Sequence, residues 1–128
     1  MIKYQKIDHI TVNIRNLEAS RKFYTEVLGL KEVKRPNFSF EGAWYSVGDT
    51  NQTIHLVRHE GETLRTKSAF TILDGHFALH IESYQDTIDW LDKCGVFYLN
   101  FPNPQAGYPQ IFVMDPDNNI VELNCNGV

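Results

Sequence analysis

Cysteine is scarce in this chain: Cys94 and Cys125 are the only two among 128 residues. Two scattered thiols make neither a disulfide framework nor a CxxC zinc site, and the simpler reading is a pair of reduced cysteines in a cytoplasmic protein. Positive charge is also short, with 12 Lys and Arg against 16 Asp and Glu. The resulting net charge of −4 offers no basic footprint, which argues against a nucleic-acid partner. No apolar run approaches the roughly 20 residues that a membrane-spanning helix needs. Residues 1–8 carry no signal-peptide core, so a membrane role is not expected. What remains is a chain of 42% apolar residues, long enough to bury a core as one domain without disulfide staples.

Two stretches occur twice. His9-Ile-Thr-Val-Asn-Ile14 overlays His76-Phe-Ala-Leu-His-Ile81, and Thr53-Ile-His-Leu-Val57 overlays Ile120-Val-Glu-Leu-Asn124. The separation of His55 from His9 is 46 residues (55−9), and that of Glu122 from His76 is also 46 (122−76). Both members of the first pair therefore move onto the second by the same 67 residues (76−9 and 122−55). A duplicated unit is the economical explanation.

Each copy reads as β-α-β-β-β. In the first, Ile7, Ile10, Val12 and Ile14 alternate with His9, Thr11 and Asn13, which predicts a strand over Lys6–Ile14 with one polar face. Asn16 can cap a helix carrying Ala19, Phe23, Tyr24, Val27 and Leu28 on one side, stopped at Gly29. Strands follow at Leu30–Lys34, Ala43–Val47 and Gln52–Arg58, the last two joined through Gly48-Asp-Thr-Asn51. In the second copy the strand is expected at His76–Glu82. A helix follows, capped by Ser83 with Asp86 in the capping-box place and ended by Gly95. Val96–Leu99, Gln110–Met114 and Ile120–Asn124 then read as strands, with a turn at Asp115–Asn119. The expected organisation is one α+β domain over 1–128, with a first module at about 5–60, a polar connector at 61–75 and a second module at about 76–126. The segment Asn100–Gln110 is rich in turn formers and carries Phe101 and Tyr108; it is either a plain strand connection or a substrate-facing rim.

Strand parity decides which side chains can converge. His9, Thr11 and Asn13 share a face, as do His76, Ala78 and His80. If the modules pack with pseudo-twofold symmetry into a cupped mixed sheet, then His9, His55, His76 and Glu122 project from four strands onto one concave surface. Three imidazoles and a carboxylate suit Zn²⁺, Ni²⁺, Fe²⁺, Co²⁺ or Mn²⁺. An octahedral ion so held keeps two adjacent positions for water or a chelating substrate, whereas a structural site is closed by its ligands. A single strand histidine is ordinarily a surface residue, and Glu122 alone is just the polar face of a strand; the doubled spacing is what lifts the set. His80 reads as a proton-transfer or outer-sphere group or a solvated histidine, Thr11 as a possible ligand contact, and His59 as surface.

At these residues the chain resembles the vicinal oxygen chelate superfamily, which includes glyoxalase I, methylmalonyl-CoA epimerase, extradiol dioxygenases, fosfomycin-resistance thiol transferases and bleomycin-binding proteins. The marks are Ile7-Asp-His-Ile-Thr-Val12, Leu17 to Leu30, Gly75-His-Phe-Ala-Leu79 and Phe112 to Leu123. The resemblance implies paired βαβββ modules around a divalent metal, commonly in a homodimer, with the modules pairing within a chain or across it by exchange. His9, His76 and Glu122 match family metal positions. His55 departs from the Glu or Gln usual at the fourth-strand position, so it is either a ligand or the base itself, and Glu122 is the carboxylate candidate for proton transfer. The leading expectation is a metal-dependent lyase or isomerase acting on a small vicinal-dioxygen substrate. Extradiol-type dioxygenation, thiol transfer and ligand sequestration without turnover rank below it. The 100–110 loop offers no Lys or Arg for a phosphonate, and the bleomycin-binding members have generally lost the metal residues.

Overall fold

The alternation at the start of the chain is realised in strand β1 (His9–Ile14): Val12 and Ile14 are buried, while His9, Thr11 and Asn13 face outward. The structure, a computed structural model, describes residues 1–63 and 70–128. The centre of the connector expected at 61–75 lies outside the described residues. The chain forms two compact units, residues 1–62 and 63–128.

In the first unit β1 leads through Asn16 into helix α1 (Leu17–Arg21), which continues as a π-helical stretch over Lys22–Val27. The Asn16 side chain accepts from the Ala19 amide at 2.9 Å, satisfying one of the open donors at the helix start. Strands β2 (Lys31–Val33), β3 (Gly42–Ser46) and β4 (Thr53–Arg58) follow, and the sheet order is β1-β4-β3-β2. β1 runs parallel to β4, and the other pairs are antiparallel.

The second unit has the same topology. β5 (Phe77–His80), α2 (Tyr84–Cys94), β6 (Tyr98–Phe101), β7 (Gln110–Met114) and β8 (Ile120–Asn124) form a sheet of order β5-β8-β7-β6 with β5 parallel to β8. Ser83 accepts from the Asp86 amide at 3.2 Å, and Gly95 closes α2 with a left-handed φ of 69°, a conformation costly for residues with a Cβ. The register repeats as well: Thr11 lies opposite His55, and Ala78 opposite Glu122. The expected α+β class and doubled βαβββ order are therefore present.

Two local differences have physical causes. The first helix widens because the Leu28 amide bonds to the Phe23 carbonyl, five residues back. Phe23 and Tyr24 both turn inward, with the Tyr24 ring 5.8 Å from Tyr45, and Ser20 is buried where the sequence pointed to Ala19. Strand β5 is shorter than the alternation suggested, so His76 sits just before it rather than within it.

Each unit fills its own core. Tyr24, Tyr45, Ile54 and Leu56 are sealed in the first, and Leu91, Ile111, Val113 and Val121 in the second. Burying a side chain of this kind contributes roughly 1.5–3 kcal/mol against leaving it exposed. The β7–β8 turn is held from within: the buried Asp115 carboxylate accepts from the amides of Asp117 and Asn119 and from the Asn119 side chain, each at 2.8 Å. That turn sets the pairing that places Glu122 opposite Phe112.

Candidate functional site

In the first unit the parallel pairing of β1 with β4 brings two of the expected residues face to face. The His9 and His55 rings stack with centroids 4.1 Å apart and planes 13° from parallel. Trp44, the β3 neighbour of His55, covers the other side at 3.9 Å and 2°. His9 Nδ1 donates to Asp8 Oδ2 at 2.7 Å, which lowers the Asp8 pKa and leaves His9 Nε2 for another partner. His55 Nε2 meets Thr53 Oγ1 at 2.8 Å. Burial, with the neighbouring His9 next in weight, pushes the His55 pKa below its ordinary value, so this imidazole is kept neutral at pH 7.

The second unit joins the other two. His76 Nδ1 lies 2.8 Å from the Asp74 carbonyl oxygen, which can only accept, so Nδ1 carries the hydrogen. His76 Nε2 faces Glu122 Oε1 at 3.2 Å, and Glu122 is 4% exposed. In a neutral imidazole that nitrogen presents a lone pair to a carboxylate lone pair. Such a facing is stable only with a cation between or beside them, either a proton or a metal ion. Gln110 Nε2 donates to Glu122 Oε1 at 3.1 Å and Asn124 Nδ2 to Oε2 at 2.7 Å, so both oxygens are held. Asn124 Oδ1 in turn accepts from His80 Nδ1 at 2.9 Å.

The donor chemistry fits a borderline divalent ion in both halves. In each, one histidine has Nδ1 tied to an oxygen acceptor from the residues just before it, which orients Nε2, as outer-sphere partners of metal-bound histidines do. The pairs are His9 with His55 and His76 with Glu122; among the described residues no group of three His, Cys, Asp or Glu side chains converges. Thr11 is exposed opposite His55, and His59 is exposed with its carbonyl taken by Arg15. In the 100–110 segment, the Phe101 ring meets Phe112 edge-on at 6.0 Å, and Phe112 meets His76 at 5.3 Å.

Sequence reasoning passed over Trp44, Gln110 and Asn124. The signal for them was parity: Asn124 is two residues from Glu122 on the same strand, and Gln110 and Trp44 are register partners of Asn124 and His55.

A sequence profile described as the glyoxalase/bleomycin resistance protein/dioxygenase superfamily matches residues 6–123. The chain is 32% identical to the Arabidopsis thaliana protein named Glyoxylase I 4, over 95% of this chain and 72% of that one. It is 27% identical to a lactoylglutathione lyase of Neisseria meningitidis, over 90% of this chain and 86% of the relative. A crystal structure of a Bacillus anthracis protein assigned to the glyoxalase family superposes with a TM-score of 0.80 at 25% identity, covering 98% of this chain and 99% of the other.

Proposed function

Because the chain belongs to the glyoxalase/bleomycin resistance protein/dioxygenase superfamily, we propose that it is a divalent-metal-dependent, glyoxalase-like lyase or isomerase. Its substrate would be a small molecule with vicinal oxygens, and the reaction a proton transfer. The observation that carries this reading is the His76–Glu122 pair: a tied Nδ1, an Nε2 lone pair and a buried carboxylate at 3.2 Å. His9 and His55 in the first unit, and His76 and Glu122 in the second, are assigned as metal ligands, for zinc, nickel, iron, cobalt or manganese. A bound ion would polarise the chelated oxygens and so acidify the carbon-bound proton.

The chain's own residues handle that proton. Glu122 takes it and returns it to the adjacent carbon, while Gln110 and Asn124 hold the carboxylate in one orientation during the exchange. His55, kept neutral, is the second basic group. When Thr53 Oγ1 accepts from His55 Nε2, the lone pair is on Nδ1 and serves as ligand or base. The lyase names of the relatives support the reaction class. The same reading makes the protein a homodimer of the cytoplasm. Two free cysteines suit that compartment, and no described helix is long and apolar enough to cross a membrane.

The test is metal content per chain after purification without chelators, for wild type, His76→Ala and Glu122→Ala, followed by turnover of thiol-hemithioacetal, 2-oxo acid and acyl-thioester panels. Near-stoichiometric metal in wild type, lost in both variants, with turnover on one panel is expected. Absence of metal even after reconstitution, or turnover unchanged in Glu122→Ala, would sink the reading.

A further inference from the structure

One cation in the first unit is placed unlike the others. Arg35 is half-buried, with its guanidinium carbon 4.9 Å from the Phe38 ring centre and 5.3 Å from that of Phe40. Its Nη2 donates to the Phe40 carbonyl at 3.2 Å, while its buried Nε finds no hydrogen-bond partner. A buried guanidinium donor left open is costly unless something fills it. Gly42 makes the room: a Cβ there would come within 3.3 Å of Arg35 Nη2.

From this cation a row of rings runs to the candidate metal residues. Phe38 and Phe40 stack at 4.9 Å and 11°, Phe38 lies 6.2 Å from Trp44, Trp44 stacks on His55, and His55 on His9. Phe38 and Phe40 are nevertheless 40% and 43% exposed. Exposed rings ordered into a stack beside an arginine form a surface suited to a flat apolar group carrying negative charge. The imidazoles at the other end suit oxygen donors only by way of an ion or a proton.

We propose that Arg35, Phe38 and Phe40 determine specificity, selecting a substrate with an aromatic ring that bears its vicinal oxygens at one end and an anionic group at the other. The ring lies against the exposed pair Phe38 and Phe40, the anion pairs with the charged guanidinium of the half-buried Arg35, and the vicinal oxygens reach towards His9 and His55. This rests on the lyase reading for the role of the oxygens, but the recognition of ring and anion stands on binding alone.

The experiment is calorimetric titration of the purified protein with pyruvate, phenylglyoxylate and 4-carboxyphenylglyoxylate, which add first the ring and then the distal carboxylate. Each addition should tighten binding about tenfold. Phe38→Ala should remove the first increment. Arg35→Met should remove only the second, and Arg35→Lys should restore part of it. Equal affinity for the three acids, no binding of any, or an Arg35→Met loss shared equally by all three would overturn the proposal. So would a change of oligomeric state in Phe38→Ala with affinities untouched, which would make the ledge a contact between copies. Hemithioacetal turnover without ring preference removes this proposal and leaves the lyase standing; ring- and Arg35-dependent binding without turnover on any panel does the reverse.

Discussion

At the scale of single residues, orientation matters as much as identity. Asn124 holds Glu122 through its amide nitrogen and His80 through its carbonyl oxygen, so one side chain sets the geometry of two titratable groups. Asn124→Ala frees one carboxylate oxygen, and metal affinity should fall about 10- to 100-fold while the fold persists; competition with a chromophoric chelator measures it. A loss no larger than that of an exposed control such as Asn126→Ala would deny Asn124 a positioning role. His55 gives a pH signature. Its folded pKa is depressed from 6.5 by burial and by His9. The unfolded chain therefore binds this proton first as pH falls, so the stability is complete above about 6.5 and is lost as pH drops through the lower folded value. Metal-stripped protein should melt at lower temperature near pH 5.5 than near pH 7.5, and His55→Gln should shrink that difference. An undiminished difference in the variant would assign the effect to other groups.

At the scale of elements, sequence patterns were good at periods and poor at close approaches. Alternation located β1 and β8, the short apolar run Gln110–Met114 matched β7, and Asn16, Ser83 and Gly95 marked helix ends where the structure has them. The π-helical stretch was not legible, because it arises when Phe23 and Tyr24 seat together, a packing event rather than a local preference. Ser20 illustrates the same limit: its hydroxyl is buried without a hydrogen-bond partner, and apolarity alone would never select it. Gly42 is the sharpest case. A Cβ there would lie 2.2 Å from the Leu56 carbonyl oxygen, on the neighbouring strand. Gly42→Ala must push β3 from β4, at a cost of roughly 1–3 kcal/mol. The urea midpoint should fall accordingly, and an unchanged midpoint would mean that the strand edge yields freely.

At the scale of the whole molecule, the equal spacing of His9 with His55 and of His76 with Glu122 was a statement about topology before any coordinates. In both units the first strand pairs in parallel with the last, so a fixed separation along the chain becomes a fixed neighbourhood in space. Where these residues hold an ion, removing it withdraws a ligand that binds only the folded chain. At a hundredfold excess over its dissociation constant that linkage is worth about 2.7 kcal/mol. Chelator treatment should therefore lower the melting temperature of wild type, with recovery on adding zinc or nickel, and should leave Glu122→Ala nearly unmoved. Equal shifts in both would place the metal elsewhere. By itself the sequence determined the duplicated βαβββ order, the superfamily and the four candidate residues, because strand parity and repeat spacing are properties of chain order. Only the tertiary structure decided that His76 turns its Nε2 on a carboxylate, that Trp44 caps His55, and that Arg35 packs its guanidinium against two exposed rings. Those depend on which distant side chains meet, and hydrogen-bond direction and desolvation exist only once they do.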